Sequence, residues 1–279
     1  MVHLALDDKL AALLRLPNAL DDKYSRGVVG FVTGSDHYPG AALLGTRAAQ
    51  AISIGMVKYI GPQRVQDLLL VSNPEVVCSE FANDAGRANA WVIGSGVPAN
   101  DALQKRNSEM VFFSSGAVAV VDAGALEYLN FELLSKQRLL LTPHYGELAR
   151  LLNTLDGVKT HTTESIRDDA VAIAKYAATR TGQTILLKGS LTILATAEGE
   201  VRAVGPNSPH LATAGSGDVL AGLLGAIAAA NPEEPTWLNI AELAVRLHSA
   251  AAELAAEAGS VTASTIIDSL GLLCRELAA

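Results

Sequence analysis

Short apolar runs rich in β-branched residues alternate with longer stretches of small, helix-forming residues along most of the chain. Val28 to Thr33 is one such run, ending at Gly34. Ala90 to Gly94, Ala117 to Asp122, Arg138 to Thr142, Thr184 to Lys188 and Leu191 to Thr196 are others. These runs are continuously apolar rather than alternating, which predicts strands covered on both faces. Residues 41–54, a polar stretch from Asp101 and an Ala-rich stretch from about Ser165 to Thr181 predict helices between them. Strands that alternate with helices predict βαβ units, hence an α/β fold with a mostly parallel sheet. From Ser216 the pattern becomes helical almost throughout. Ile240, Leu243, Ala244, Leu247, Ala251 and Leu254 share one helical face, as do Ile266, Leu270, Leu273, Cys274 and Leu277; both read as core stripes. The breaks are short, such as Asn231 to Pro235, with no internal repeat and no low-complexity linker. One domain over residues 1–279 is predicted, with 1–22 as an N-terminal helical extension.

Composition narrows the class. Among 279 residues, 49% are hydrophobic and 18% charged, too apolar for a disordered chain. The balance of 21 Lys+Arg against 29 Asp+Glu leaves a formal charge of −8, which argues against a basic face for nucleic acid. Cys78 and Cys274 are too few for a disulfide framework and fit a reducing compartment. The acidic pair Asp7-Asp8 precedes any apolar run and no basic segment comes before it, so no secretory signal is read. No window of roughly 18–20 uninterrupted apolar residues exists to cross a membrane. A cytoplasmic location and no membrane partner are expected.

The chemistry concentrates at Thr213-Ala214-Gly215-Ser216-Gly217-Asp218-Val219-Leu220-Ala221-Gly222. Small residues lead directly into an apolar helix. Glycines let the backbone approach a ligand, and a helix start offers unpaired N–H groups, so the segment suits an anion. A carboxylate there, Asp218, could accept a proton from a hydroxyl beside bound phosphate; its bland alternative is a helix N-cap. Gly34-Ser35 through Gly40-Ala41 joins a strand to a helix, where open α/β sheets place ligands, or is simply a tight turn. Val92 to Pro98 is a second strand followed by a glycine loop, which lets the backbone at Gly96 approach a ligand.

TAGSGDVLAG resembles the signature of the ribokinase-like superfamily, in which a Gly-x-Gly-Asp loop holds the transferred phosphate. This version looks like that of the ADP-dependent NAD(P)H-hydrate dehydratases. The Gly34-Ser35…Gly40-Ala41 element, Thr142-Pro143-His144-Tyr145-Gly146-Glu147 and Lys188-Gly189-Ser190-Leu191-Thr192 resemble three more family elements, in the family's order from about Lys23 to the end. The resemblance implies a three-layer αβα sandwich with a mostly parallel central sheet. It implies Asp218 as the base, Ala41, Gly96, His144 and Asp218 against the hydrated nicotinamide substrate, and Lys188, Gly189, Ser190, Leu191, Thr192, Gly215, Ser216 and Gly217 around the nucleotide. Glu147 would order Mg²⁺ through water or phosphate. Taken alone, His144 reads as a surface residue, Glu147 as a first-turn acid, Lys188 as a strand-end lysine, and Pro143 as the opening residue of its helix. Two segments depart from the family pattern: GSGVP (94–98) stands for GPGLG, and DAGAL (122–126) for DADAL. Asp122 reads as adjacent to the site or as a helix cap.

The implied reaction is dehydration of the S epimer of NADHX or NADPHX, with ADP as co-substrate, Mg²⁺ as cofactor, and AMP and phosphate as products. The family often carries an epimerase domain. The roughly 22 residues before the first matching segment are too few for one, so a separate epimerase is expected as functional partner, and a homotetramer is expected by resemblance. Two alternatives stay open: a small-molecule kinase of the same superfamily, of hydroxymethylpyrimidine or hydroxyethylthiazole type, and a non-catalytic nucleotide-binding protein. A dinucleotide-binding dehydrogenase is disfavoured, because no GxGxxG follows the first strand with an acid about 20 residues later.

Overall fold

A computed structural model describes residues 4, 6–113, 117–131, 133–134 and 136–277. The expected extension over 1–22 contains a single turn of helix, α1 (Asp8–Ala11), among its described residues. Beyond Pro17 the short polar side chains take the backbone into turns instead: Asp22 accepts from the amides of Tyr24 and Ser25, and Asn18 from that of Leu20. Such local bonds compete with the helical ladder.

The rest alternates as the pattern predicts. The chain runs β1 (Val28–Val32), α2 (Gly40–Ala51), β2 (Met56–Ile60), α3 (Gln63–Ser72), β3 (Val77–Ser79), α4 (Ala82–Ala85), β4 (Ala90–Ile93) and α5 (Ala102–Phe113). It continues with β5 (Val118–Val121), α6 (Ala125–Tyr128), β6 (Arg138–Leu141), α7 (Tyr145–Asp156), α8 (Thr163–Asp168) and α9 (Ala170–Thr181). Strands β7 (Thr184–Leu187), β8 (Thr192–Ala195) and β9 (Val201–Val204) precede the closing helices α10 (Ser216–Ala230), α11 (Trp237–Ala258) and α12 (Ala263–Leu277). The pattern missed β2, β3 and β9. β2 carries Lys58 in its middle, whose ammonium donates to the carbonyls of Ala85 and Arg87; β3 and β9 are edge strands with one face toward solvent. The predicted long helix from Ser165 is broken at Asp169, whose side chain caps α9 by accepting from the Ala172 amide.

The strands form one sheet in the order β3-β2-β1-β4-β5-β6-β7-β8-β9, parallel through β7 and antiparallel at β7-β8-β9. Its two faces carry separate cores. Phe31, Val92, Leu140 and Leu186 pack with α2, α10, α11 and α12; Ile93, Val121, Leu141 and Ile185 pack with α5, α7, α8 and α9. Neighbouring strand residues point to opposite faces, so both must be apolar, which is why the runs lack alternation. The predicted stripe on α11 is buried, with Leu254 only partly so, and Leu277 at the end of α12 is exposed. Among the described residues no helix is long and apolar enough to cross a membrane.

Candidate functional site

The direction of strand addition reverses at β1, which has β2 on one side and β4 on the other. In open parallel sheets the ligand crevice lies beyond the carboxyl ends at this reversal. Here it is formed by the loops after β1 and β4, tied by a 2.7 Å bond from the Gly34 amide to the Ser95 carbonyl. Gly96 has a φ of +67°, and a Cβ there would lie 2.5 Å from the Ala41 Cβ. Gly96 and Ala41, two of the expected substrate residues, therefore pack against each other, and only a glycine permits that approach.

At α10 the N-cap is Gly215 (φ +85°), with no side-chain cap. Asp218 stands in the first turn, not at the cap, and among the described residues no side chain or amide donates to its carboxylate. The cap reading of Asp218 is therefore corrected: a left-handed glycine starts the helix and leaves the acid free. Burial, then the negative charge of Asp122, pushes the Asp218 carboxyl up to about 7, against the opposing pull of Lys188. A half-ionised carboxylate near neutral pH is suited to accept a proton.

Asp122, at the end of β5, is 3% exposed. Its Oδ1 accepts from Lys188 Nζ at 2.7 Å and from Thr142 Oγ1 at 2.8 Å, and its Oδ2 from Ser95 Oγ at 2.8 Å. Burial opposes its ionisation, but Lys188 and the two hydroxyls hold its pKa below the ordinary value. Burial likewise opposes the charge on Lys188, which Asp122, Glu147 and Asp218 nonetheless keep, raising its pKa. Asp122 does not cap α6, whose N-cap is Gly124; it anchors the ammonium. Lys188 is thus no ordinary strand-end lysine. Its Nζ also lies 3.7 Å from Glu147 Oε2, and a Cβ on Gly217 would be 3.8 Å from it.

The two departures from the family pattern face each other. Ser95, where the family has proline, supplies a hydroxyl to Asp122, and a Cβ at Gly124 would collide with the Val97 carbonyl of the same loop.

His144 and Glu147 form a reciprocal cap on α7. His144 Nδ1 accepts from the amides of Gly146 (3.0 Å) and Glu147 (3.3 Å), and Glu147 Oε2 accepts from the His144 amide at 2.8 Å. Pro143 consequently precedes the cap rather than opening the helix, because His144 takes the extended cap conformation. Its carbonyl accepts from the Lys188 amide at 2.8 Å, which ties this turn to the end of β7. With Nδ1 accepting, the ring proton belongs on Nε2, 3.4 Å from Glu147 Oε1 and partly open to solvent.

Beside Lys188 lies a cavity of about 410 Å³. Lys188, Gly189, Ser190, Thr192, Ser216 and Gly217 line it, six of the eight residues expected around a nucleotide. Leu191 and Gly215 are not on its wall: Leu191 is 43% exposed, and Gly215 faces Leu44 and Ala263. The remaining wall was missed from sequence. Asn207 braces the loop by donating to the Gly189 carbonyl and Thr192 Oγ1. Leu211, Leu220 and Val245 make an apolar side, and His248 comes from the middle of α11. A histidine within an otherwise apolar helical face was the one available signal.

Among the described residues no cluster of three or more His, Cys, Asp or Glu is arranged to hold a metal ion. Asp122 spends both oxygens on three donors. A Mg²⁺ ion would take most of its ligands from phosphate and water, with Glu147 as the protein carboxylate, which matches its usual habit with phosphates.

The sheet order, the glycine loop and the acid behind it define the ribokinase-like class of α/β folds. A family profile described as NAD(P)H-hydrate dehydratase matches residues 29–271. The chain belongs to the NAD(P)H-hydrate dehydratase family. It is 38% identical over 226 residues to the bifunctional NAD(P)H-hydrate repair enzyme Nnr of Mycobacterium tuberculosis, covering 79% of this chain and 44% of that protein. The chain thus spans about half the length of the bifunctional relatives it matches. The ADP-dependent (S)-NAD(P)H-hydrate dehydratase of Neisseria meningitidis is 29% identical, with 96% of this chain and 90% of that protein covered. The crystal structure of the ADP/ATP-dependent NAD(P)H-hydrate dehydratase of Bacillus subtilis, co-crystallised with ATP and Mg²⁺, superposes with a TM-score of 0.81 at 25% identity over 96% of both chains.

Proposed function

We propose that the chain dehydrates the S epimer of NADHX or NADPHX with ADP as co-substrate, releasing NADH or NADPH, AMP and phosphate. The observation that carries this reading is Asp218, a carboxyl with a pKa of about 7 in the first turn of α10. Its carboxyl feels the charge of the anchored Lys188 ammonium, and its helix packs against α2, which begins at Gly40-Ala41. The family and the Neisseria relative support the same substrate class.

Hydroxide is a poor leaving group, and phosphate a good one. Asp218 takes the proton of the substrate hydroxyl as its oxygen bonds to the β-phosphorus of ADP, and the bond to the bridging oxygen breaks to give AMP. The ring nitrogen's lone pair then expels phosphate, and loss of a proton from the adjacent ring carbon restores the double bond. The amides of Gly215 to Gly217 and the α10 N-terminus face the phosphoryl charge, and Lys188 adds a fixed cation. Asp122 holds that cation in place. Mg²⁺, with Glu147 as its protein carboxylate, would supply charge neutralisation on the phosphates. The chain acts as one domain over its length, as a cytoplasmic homotetramer, on one epimer; the other would first need an epimerase.

The test is incubation with NADHX plus ADP or ATP, following the recovered absorbance of reduced nicotinamide and identifying the nucleotide product. Stoichiometric AMP from ADP supports the reading. Accumulation of a stable phosphorylated product would instead favour the kinase alternative, and nucleotide binding with no turnover a non-catalytic role.

A further inference from the structure

In α5 the buried side carries polar residues: Gln104, Asn107 and Ser108 are all closed to solvent. Burying amides costs stability unless their groups are bonded, and the bonds show what these amides serve. Gln104 Nε2 donates to the carbonyls of Gly34 (3.0 Å), Thr33 (3.1 Å) and Ile60 (3.3 Å), and Gln104 Oε1 accepts from Asn107 Nδ2 at 3.3 Å. A carbonyl can only accept, so these neighbours fix which way the amide points. Its two hydrogens serve three oxygens, so one is shared. Asn107 in turn donates to the Glu80 carbonyl and accepts from the Ala82 amide. One face of this helix thus holds the backbone at the carboxyl ends of β1, β2 and β3.

Resting on the function proposed above, we propose that Gln104 is a positioning residue for the hydrate site, acting through the Gly34 peptide. The Gly34 amide is bonded to the Ser95 carbonyl and the Gly34 carbonyl to Gln104, so this residue is held from two sides. A Cβ on Gly34 would lie 2.9 Å from that of Ala42, and one on Gly96 would lie 3.3 Å from the Gly34 Cα. Gly34 therefore packs against both the glycine loop after β4 and the first turn of α2, the two parts that bring Gly96 and Ala41 together. A carbonyl that loses its donor leaves the peptide free to turn, and the parts packed on it move with it. A misplacement of about 1 Å at groups that orient a substrate can cost roughly 10²-fold in rate. Gln104 is not on the wall of the cavity beside Lys188, so its effect falls on the hydrate and not on the nucleotide.

The test is steady-state turnover of NADHX with ADP, together with calorimetric binding of ADP in the absence of hydrate. Gln104→Met keeps the side-chain length and loses the donors. Gln104→Glu keeps the shape, and beside three carbonyl oxygens its buried carboxyl stays protonated and retains one donor. For NADHX, kcat/KM is expected to fall about tenfold or more in Gln104→Met and by less in Gln104→Glu, with ADP affinity unchanged in both. A lower unfolding midpoint with wild-type kcat/KM reduces Gln104 to a packing role and overturns the proposal. Equal losses in NADHX turnover and in ADP binding also overturn it. Absence of NADHX turnover by the wild-type chain overturns the functional reading and this proposal with it. On ¹⁵N-labelled wild-type protein, the Gln104 side-chain amide should exchange slowly with solvent, and its resonance should move with the product NADH and not with ADP. Fast exchange, or a resonance that NADH does not move, overturns the proposal even if neither variant folds.

Discussion

Asp218 carries opposite consequences for activity and stability. As the base it must be ionised, so the acidic limb of kcat/KM in the free enzyme is expected near pH 7. Asp218→Asn should lower turnover of NADHX with ADP by about 10²–10⁴-fold; an unchanged rate would remove Asp218 from the mechanism. Its raised pKa also means that the folded chain holds the proton more tightly than the unfolded one. Stability is lost as pH rises from about 4, the unfolded value, to about 7. Asp218→Asn should therefore be more stable than wild type at pH 8, by roughly 1–3 kcal/mol, and equal to it near pH 4; denaturant melts at the two pH values check this. Ser95→Ala removes one of three donors to the buried Asp122 carboxylate. A loss of about 1–3 kcal/mol is expected, read by urea unfolding, and no loss would show that Thr142 and Lys188 suffice. The sequence displayed Asp218 and Lys188 through their motifs. It did not display the bond from Ser95 to Asp122, since the two are 27 positions apart and meet only because β4 and β5 pair.

At the scale of elements, the site depends on how closely α2 approaches α10. A Cβ on Gly222 would collide with the Gly45 carbonyl, so the two helices touch backbone to backbone. This contact sets Ala41, at the start of α2, relative to Asp218, at the start of α10. Gly222→Ala should destabilise the fold by about 1–3 kcal/mol and raise KM for the hydrate. Gly40, at the first position of α2, has open space and an ordinary φ. Gly40→Ala should be neutral or slightly stabilising in thermal melts, and an equal loss in both variants would refute a specific contact. The core strands and the last three helices were legible because their apolar periodicity is strong. The edge strands and the break at Asp169 were not, because a three-residue strand carries little pattern and a capping acid looks like any polar helix residue. The cap formed by His144 was hidden for a related reason: an imidazole is an unusual capping group, and its motif pointed to a ligand instead.

For the whole molecule, the charge of −8 works against the anionic ligands proposed for it. Attraction must come from Lys188, backbone amides and the start of α10 over a few ångströms, while the distant surface repels. Screening should therefore help encounter: the association rate of a fluorescent ADP analogue is expected to rise about twofold from 10 to 150 mM salt. A steep fall, as for a basic binding face, would contradict this local design. Several glycines that first stood out only by number lie at this one end of the sheet, Gly34, Gly96, Gly189 and Gly215 in its loops and Gly217 in the first turn of α10.

By itself, the sequence determined the α/β class, the central strands, the glycine loop with its acid, and the family. Each of these is written in neighbouring residues, as periodicity or as a short motif whose chemistry is local. Tertiary structure decided the rest. It showed that Asp218 is left uncapped and Asp122 anchors Lys188, and it placed six of the eight expected nucleotide residues on one cavity wall. It also brought His248 from α11 to that wall. Pairing of distant strands and packing of helices bring these groups together, and burial then sets their charges, so no spacing along the chain could reveal them.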